Sequence, residues 1–69
     1  MTKKILIEGM TCQHCVNHVR EALEELDEIK SAKVSLENKS AEIELNSEVD
    51  DEKIKSAINE VGYEVTSIQ

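Results

Sequence analysis

Apolar and polar residues follow two different periodicities along this chain, and together they predict six elements. Two segments, 32–36 and 41–45, alternate apolar with polar residues, as a half-buried β-strand does. A third predicted strand, 3–8, places Ile5 and Ile7 on one face and Leu6 on the other. Two further segments repeat apolar residues every three or four positions, which is typical of an amphipathic helix. A final segment, 63–68, predicts a fourth strand.

The two predicted helices have recognisable ends. From Cys15 onward the first helix presents one apolar stripe, made of Val16, Val19, Leu23 and Leu26. The second stripe consists of Ile54, Ala57, Ile58 and Val61. Asp50 precedes the second helix as a candidate N-cap, and Gly62 stands where a helix C-terminus favours glycine.

The order β-α-β-β-α-β predicts an α+β, ferredoxin-like fold with a four-stranded antiparallel sheet and both helices on one face. We expect residues 1–69 to form a single domain. Chain direction alone then places the first strand–helix loop, the hairpin turn and the last helix–strand loop at one end. Cys12, Cys15 and Tyr63 should meet there, and the two chain termini should lie at the opposite end.

Composition narrows the possible functions. The net charge is −7, which argues against nucleic acid as a ligand. Nine of the fifteen acidic residues lie in residues 36–69. No apolar run approaches the ~20 residues of a membrane span, and the first residues lack the apolar stretch of a signal peptide. We therefore expect a cytoplasmic protein with a small aliphatic core, since Trp and Phe are absent.

The only two cysteines, Cys12 and Cys15, form a C-x-x-C pair between the first strand and the first helix. In a chain without a leader such a pair indicates metal binding or redox chemistry rather than a disulfide framework. The N-terminus of a helix favours thiolates, and two thiolates suit a soft ion such as Cu(I). Structural zinc prefers four ligands. A dithiol oxidoreductase remains the enzymatic alternative.

The segment Gly9-Met10-Thr11-Cys12-Gln13-His14-Cys15 resembles the G-M-x-C-x-x-C signature of the heavy-metal-associated domain family. The resemblance extends over essentially the whole chain, including element order and the Gly62-Tyr63 pair. It implies a small, non-enzymatic bacterial copper chaperone that binds Cu(I) through Cys12 and Cys15. Thr11 stands where related zinc and cadmium domains often carry Asp, which favours copper.

Members of this family pass Cu(I) by ligand exchange to the N-terminal metal-binding domain of a copper-transporting P-type ATPase and, in some bacteria, to a copper-responsive repressor. The resemblance therefore implies such partners here. We expect a monomer when copper is absent, and the exposed pair of thiols leaves open whether a copper-bridged dimer forms when it is bound. Two alternatives share the motif: an excised metal-binding domain of a copper ATPase, and a mercuric-ion-binding protein.

Four further residues are expected around the cysteines. Met10 should pack into the core under the loop, as a flexible gap-filler. Thr11 and Tyr63 should lie beside the sulfurs, and His14 should be solvated and tune the thiolates. His18 lies one helical turn beyond His14, a spacing that could also form a weak surface metal site.

Overall fold

The computed structural model describes residues 1–69 and contains the six elements in the predicted order. They are β1 (Thr2–Glu8), α1 (Gln13–Glu24), β2 (Ile29–Ser35), β3 (Ser40–Leu45), α2 (Asp51–Glu60) and β4 (Glu64–Ile68). The strands form one antiparallel sheet in the order β2-β3-β1-β4. The predicted ferredoxin-like fold is confirmed.

One aliphatic cluster lies between the sheet and the two helices. Its fully buried side chains come from β1, β3 and both helices, which shows that the helices share one face of the sheet: Ile5, Ile7, Val19, Leu23, Ala41, Ile43, Ile54 and Ile58. Burial of these side chains is the main contribution to stability, at ~1.5–3 kcal/mol for each large one. Neither helix has the length and apolar character that crossing a membrane requires.

Several element boundaries differ from the predicted ones. Helix α1 begins at Gln13 instead of Cys15, because its first turn is polar and lies outside the apolar stripe. Strand β2 begins at Ile29 instead of 32, since an irregular register between Ile29 and Ser31 hides the alternation. It ends at Ser35, so Leu36 belongs to the turn.

The C-terminal end of α2 also differs from the prediction. Only Ile54 and Ile58 of its apolar stripe are buried. Val61 is 37% exposed, because it is the C-cap residue, where the chain leaves the helix. Strand β4 begins at Glu64 instead of 63, which leaves Tyr63 in the connecting loop.

The predicted separation of the molecule into two ends is confirmed. The backbone N–H of Leu45 donates to the carbonyl of Met1 at 2.8 Å, and the backbones of Lys4 and Gln69 bond to each other. Both termini therefore lie where β1 begins. The loop that follows β1 lies at the other end, roughly 20 Å away at the rise of an extended strand.

Candidate metal site

Gly9 and Met10 form the base of the loop that carries the cysteines. Gly9 has φ +102°, a conformation that side chains rarely adopt. A Cβ atom at this position would lie 3.3 Å from Cδ1 of Tyr63, so glycine also permits this close contact. Met10 is 6% exposed and belongs to the aliphatic core. Its expected burial is confirmed, and it anchors the loop from beneath.

Cys12 and Cys15 occupy the start of α1. Cys12 is the N-cap residue with an extended backbone, and its carbonyl accepts from the N–H groups of Cys15 at 3.0 Å and Val16 at 3.3 Å. No side chain caps the helix, and its first turn contains no acidic residue. The free N–H groups and the positive end of the helix dipole are therefore available to stabilise negative charge on sulfur.

The two sulfurs lie close together and are accessible. Their Sγ atoms are 3.8 Å apart, and both cysteines are free thiols. Cys12 is exposed, whereas Cys15 is half-buried and packs against the core. Thr11 Oγ1 lies 3.8 Å from the Cys15 sulfur. The pair thus combines one solvent-facing thiol with one that packs against the core.

The surroundings of Cys15 favour its thiolate. Its pKa falls from the ordinary 9.0 to about 6, chiefly through the backbone of Thr11 and then through the Tyr63 hydroxyl, both acting as hydrogen-bond donors to the sulfur. The Thr11 hydroxyl and the Cys12 backbone add to this, while partial desolvation opposes it. The pKa of Tyr63 rises in return, because its phenol is bound to the sulfur of Cys15. Near neutral pH the Cys15 thiol is therefore largely ionised.

A helix C-terminus positions Tyr63. The N–H of Gly62 donates to the Asn59 carbonyl at 3.0 Å, and the N–H of Tyr63 donates to the Ile58 carbonyl at 3.2 Å. These two bonds form a Schellman motif, with Gly62 at φ +93° as its left-handed residue. The motif ends α2 and turns Tyr63 back towards Gly9 and the sulfurs. The predicted meeting of Tyr63 with the cysteines is confirmed.

The other predicted residues surround the pair at the surface. Thr11 and His14 are exposed, and so is His18 in the next turn of α1. His14 makes no hydrogen bond or ion pair to another side chain. It lies near the sulfurs because it stands between Cys12 and Cys15 in the sequence. No group of three or more His, Cys, Asp or Glu side chains is arranged to hold a metal ion. Metal binding here would rest on the two thiols.

Carboxylates near the loop were missed by sequence reasoning. Glu8 and Glu64 are both exposed and pair directly across β1 and β4, next to Gly9 and Tyr63. Like charges opposite each other weaken a sheet slightly, and neither carboxylate has an ion-pair partner. The two residues are 56 positions apart in the sequence, so only the pairing register could reveal that they are cross-strand neighbours.

The densest acidic cluster lies at the other end of the molecule. Lys3 on β1 binds Asp51 at 2.9 Å, and Lys53 binds Glu28 at 2.7 Å, in the region where both termini lie. The second half of the chain, residues 36–69, holds nine of the fifteen acidic residues. Because α2 begins at the far end, most of that charge lies roughly 20 Å from the cysteines.

Fold and site together define a small ferredoxin-like domain with an accessible dithiol at the start of its first helix. The family model for the heavy-metal-associated domain matches residues 4–64. The chain belongs to this family.

Relatives and solved structures agree with this assignment. A copper chaperone CopZ of Staphylococcus epidermidis is 46% identical over 67 residues, covering 94% of this chain and 98% of that protein. A structure named CopZ metallochaperone superposes with a TM-score of 0.89 at 36% identity, covering 96% of this chain and 100% of the other. A copper binding domain from HMA7, a P-type ATPase, gives a TM-score of 0.85 at 30% identity, with coverage of 100% and 99%.

Proposed function

We propose that this protein is a copper chaperone in which Cys12 and Cys15 bind Cu(I) as two thiolates. The observation that carries the proposal is the pair of sulfurs 3.8 Å apart at a helix N-terminus, with the pKa of Cys15 lowered to about 6. The names of similar proteins, a copper chaperone and a copper binding domain, support copper as the cargo. We assign the whole chain, 1–69, to this one function, without catalytic turnover.

The chemistry of the donor set favours Cu(I) over harder ions. Thiolates are soft ligands that select Cu(I), and a closed zinc site would need two more ligands than the loop supplies. Thr11 offers a hydroxyl in place of a carboxylate. A bis-thiolate Cu(I) centre carries a net negative charge, which the N-terminus of α1 stabilises.

Transfer would proceed by ligand exchange, with copper remaining Cu(I) throughout. An incoming thiolate of the acceptor binds the ion and makes it three-coordinate, after which the bond to Cys12 breaks. A second acceptor thiolate then replaces Cys15. The exposed position of Cys12 supports its leaving first, while Thr11 and Tyr63 stabilise the Cys15 thiolate to the end. No step requires a free copper ion, an oxidant or a reductant.

We propose that the acceptor docks on the surface around the loop. Val61 supplies an exposed apolar contact there, and the unpaired carboxylates of Glu8 and Glu64 would attract a basic patch. The family resemblance indicates an acceptor that carries its own C-x-x-C pair, the metal-binding domain of a copper-transporting P-type ATPase or a copper-responsive repressor. The reduced thiols that this exchange needs are those of the cytoplasm.

The ligand assignment is tested by Cu(I) titration under anaerobic conditions, followed by native mass spectrometry. Wild type should bind Cu(I) tightly, and the spectra also show whether the apo protein is a monomer and whether copper joins two copies. Cys12→Ser and Cys15→Ser should each lose high-affinity binding but keep the fold, because neither thiol is part of the fully buried core.

A matched control shows whether Cu(I) binding depends on the closeness of the two thiols or only on their number. Cys12→Ser combined with Ser56→Cys keeps two thiols but moves one to an exposed position on α2. This variant should bind Cu(I) as weakly as Cys12→Ser alone. Near-wild-type affinity in either single serine variant would contradict the bis-thiolate site.

A further inference from the structure

Two histidines lie on the exposed side of α1, outside the thiolate pair. His14 and His18 are separated by four residues within one continuous helix, Gln13–Glu24. Residues at this spacing lie one above the other, with Cβ atoms ~5–6 Å apart. Both residues are exposed. Neither imidazole takes part in a side-chain hydrogen bond or ion pair.

We propose that His14 and His18 form a second, weak metal site for a borderline divalent cation such as Zn(II), Ni(II) or Cu(II). Imidazole nitrogen is a preferred ligand of these ions, and the helix already holds both rings on one face. The two nitrogens would chelate the ion, and water would complete its coordination. This donor set differs from the soft sulfur pair, so the two sites would select different ions.

The surrounding charge supports a cation at this position. Glu21 follows His18 by three residues and lies on the same exposed face of α1, and the protein as a whole carries a net charge of −7. The positive end of the helix dipole opposes cation binding at His14. No third His, Cys, Asp or Glu side chain completes the cluster. The unfavourable helix dipole and the lack of a third ligand both indicate a weak, rapidly exchanging site.

The test uses Zn(II) as the probe, because zinc has no redox chemistry and leaves the cysteines unoxidised. Zn(II) is titrated into the Cu(I)-loaded protein at mildly alkaline pH, and the imidazole signals are followed by two-dimensional NMR. The signals of His14 and His18 should shift together, with a single dissociation constant. His18→Ala should weaken zinc binding about tenfold, which corresponds to ~1.4 kcal/mol.

A spacing control keeps the number of histidines constant. His18→Ala combined with Arg20→His moves the second imidazole to an exposed position on a different face of α1. This variant should bind zinc as weakly as His18→Ala. Wild-type affinity in either variant, or a shift of only one imidazole, would overturn the proposal.

Zinc binding by His14 and His18 does not depend on the proposed copper function. The same titration on a Cys12→Ser/Cys15→Ser variant removes every thiol and should give the same joint shift of both imidazoles. A positive result there stands even if the cysteines prove not to carry copper. Loss of the joint shift in that variant would show that zinc binding needed the sulfurs, and the two-histidine site would be wrong.

Discussion

Replacing Met10 tests whether its side chain stabilises the fold or binds copper. Its side chain is 6% exposed and packs in the aliphatic core beneath the cysteine loop. Truncating a buried Met to Ala costs about 2–5 kcal/mol. Because Met10 lies at the edge of the core, where the loop can settle, we expect Met10→Ala to cost ~2–3 kcal/mol. For a domain of this size that lowers the unfolding temperature by roughly 10–20 °C.

Urea unfolding of the apo protein and competition with a Cu(I)-specific chelator measure the two effects separately. Met10→Ala should lower the unfolding midpoint while the folded protein keeps its Cu(I) affinity. Met10→Leu is the matched control, because it preserves volume, removes the thioether and should cost less than about 1.5 kcal/mol. If Met10→Leu keeps its stability but loses Cu(I) affinity, the thioether is a ligand and our account of Met10 is refuted.

Two further predictions concern the thiolates and the docking surface. Tyr63→Phe should raise the pKa of Cys15 from about 6 towards 9.0, because it removes the phenol hydrogen bond. The pH profile of cysteine alkylation should shift to higher pH with it. An unchanged profile would show that Tyr63 does not stabilise the thiolate. Copper transfer to a basic acceptor should slow as salt rises from about 0.01 to 0.15 M, because the screening length falls from ~30 to ~8 Å. Glu8→Gln/Glu64→Gln should flatten this dependence and Asp50→Asn should not, whereas equal effects of both would place the docking surface elsewhere.

Periodicity predicted the fold well because the interior is purely aliphatic and each element presents a regular apolar pattern. Ile5 and Ile7 on β1 and the stripe from Val16 to Leu23 on α1 are all buried, as alternation and helical spacing require. The predicted ends of the helices and strands were wrong where a local feature interrupts the periodicity. The irregular register beside Ile29 and the C-cap position of Val61 are two such features.

The candidate site was predicted in part for the same physical reason. Chain direction alone brings the loop that carries Cys12 and Cys15 to the end where Gly62 and Tyr63 lie. The positions of the charged side chains were harder to predict, because they depend on the strand register and on where α2 begins. The pairing of Glu8 with Glu64, and the distance of Asp51 from the loop, became visible only in three dimensions.

The central claim is that Cys12 and Cys15 hand Cu(I) directly to an acceptor dithiol. Stopped-flow transfer from the Cu(I)-loaded protein to an apo C-x-x-C domain, measured over a range of acceptor concentrations, tests it most directly. Ligand exchange predicts a rate that rises in proportion to acceptor concentration, because the incoming thiolate attacks copper that is still bound. A rate independent of acceptor concentration would mean that copper dissociates first, and would contradict the account.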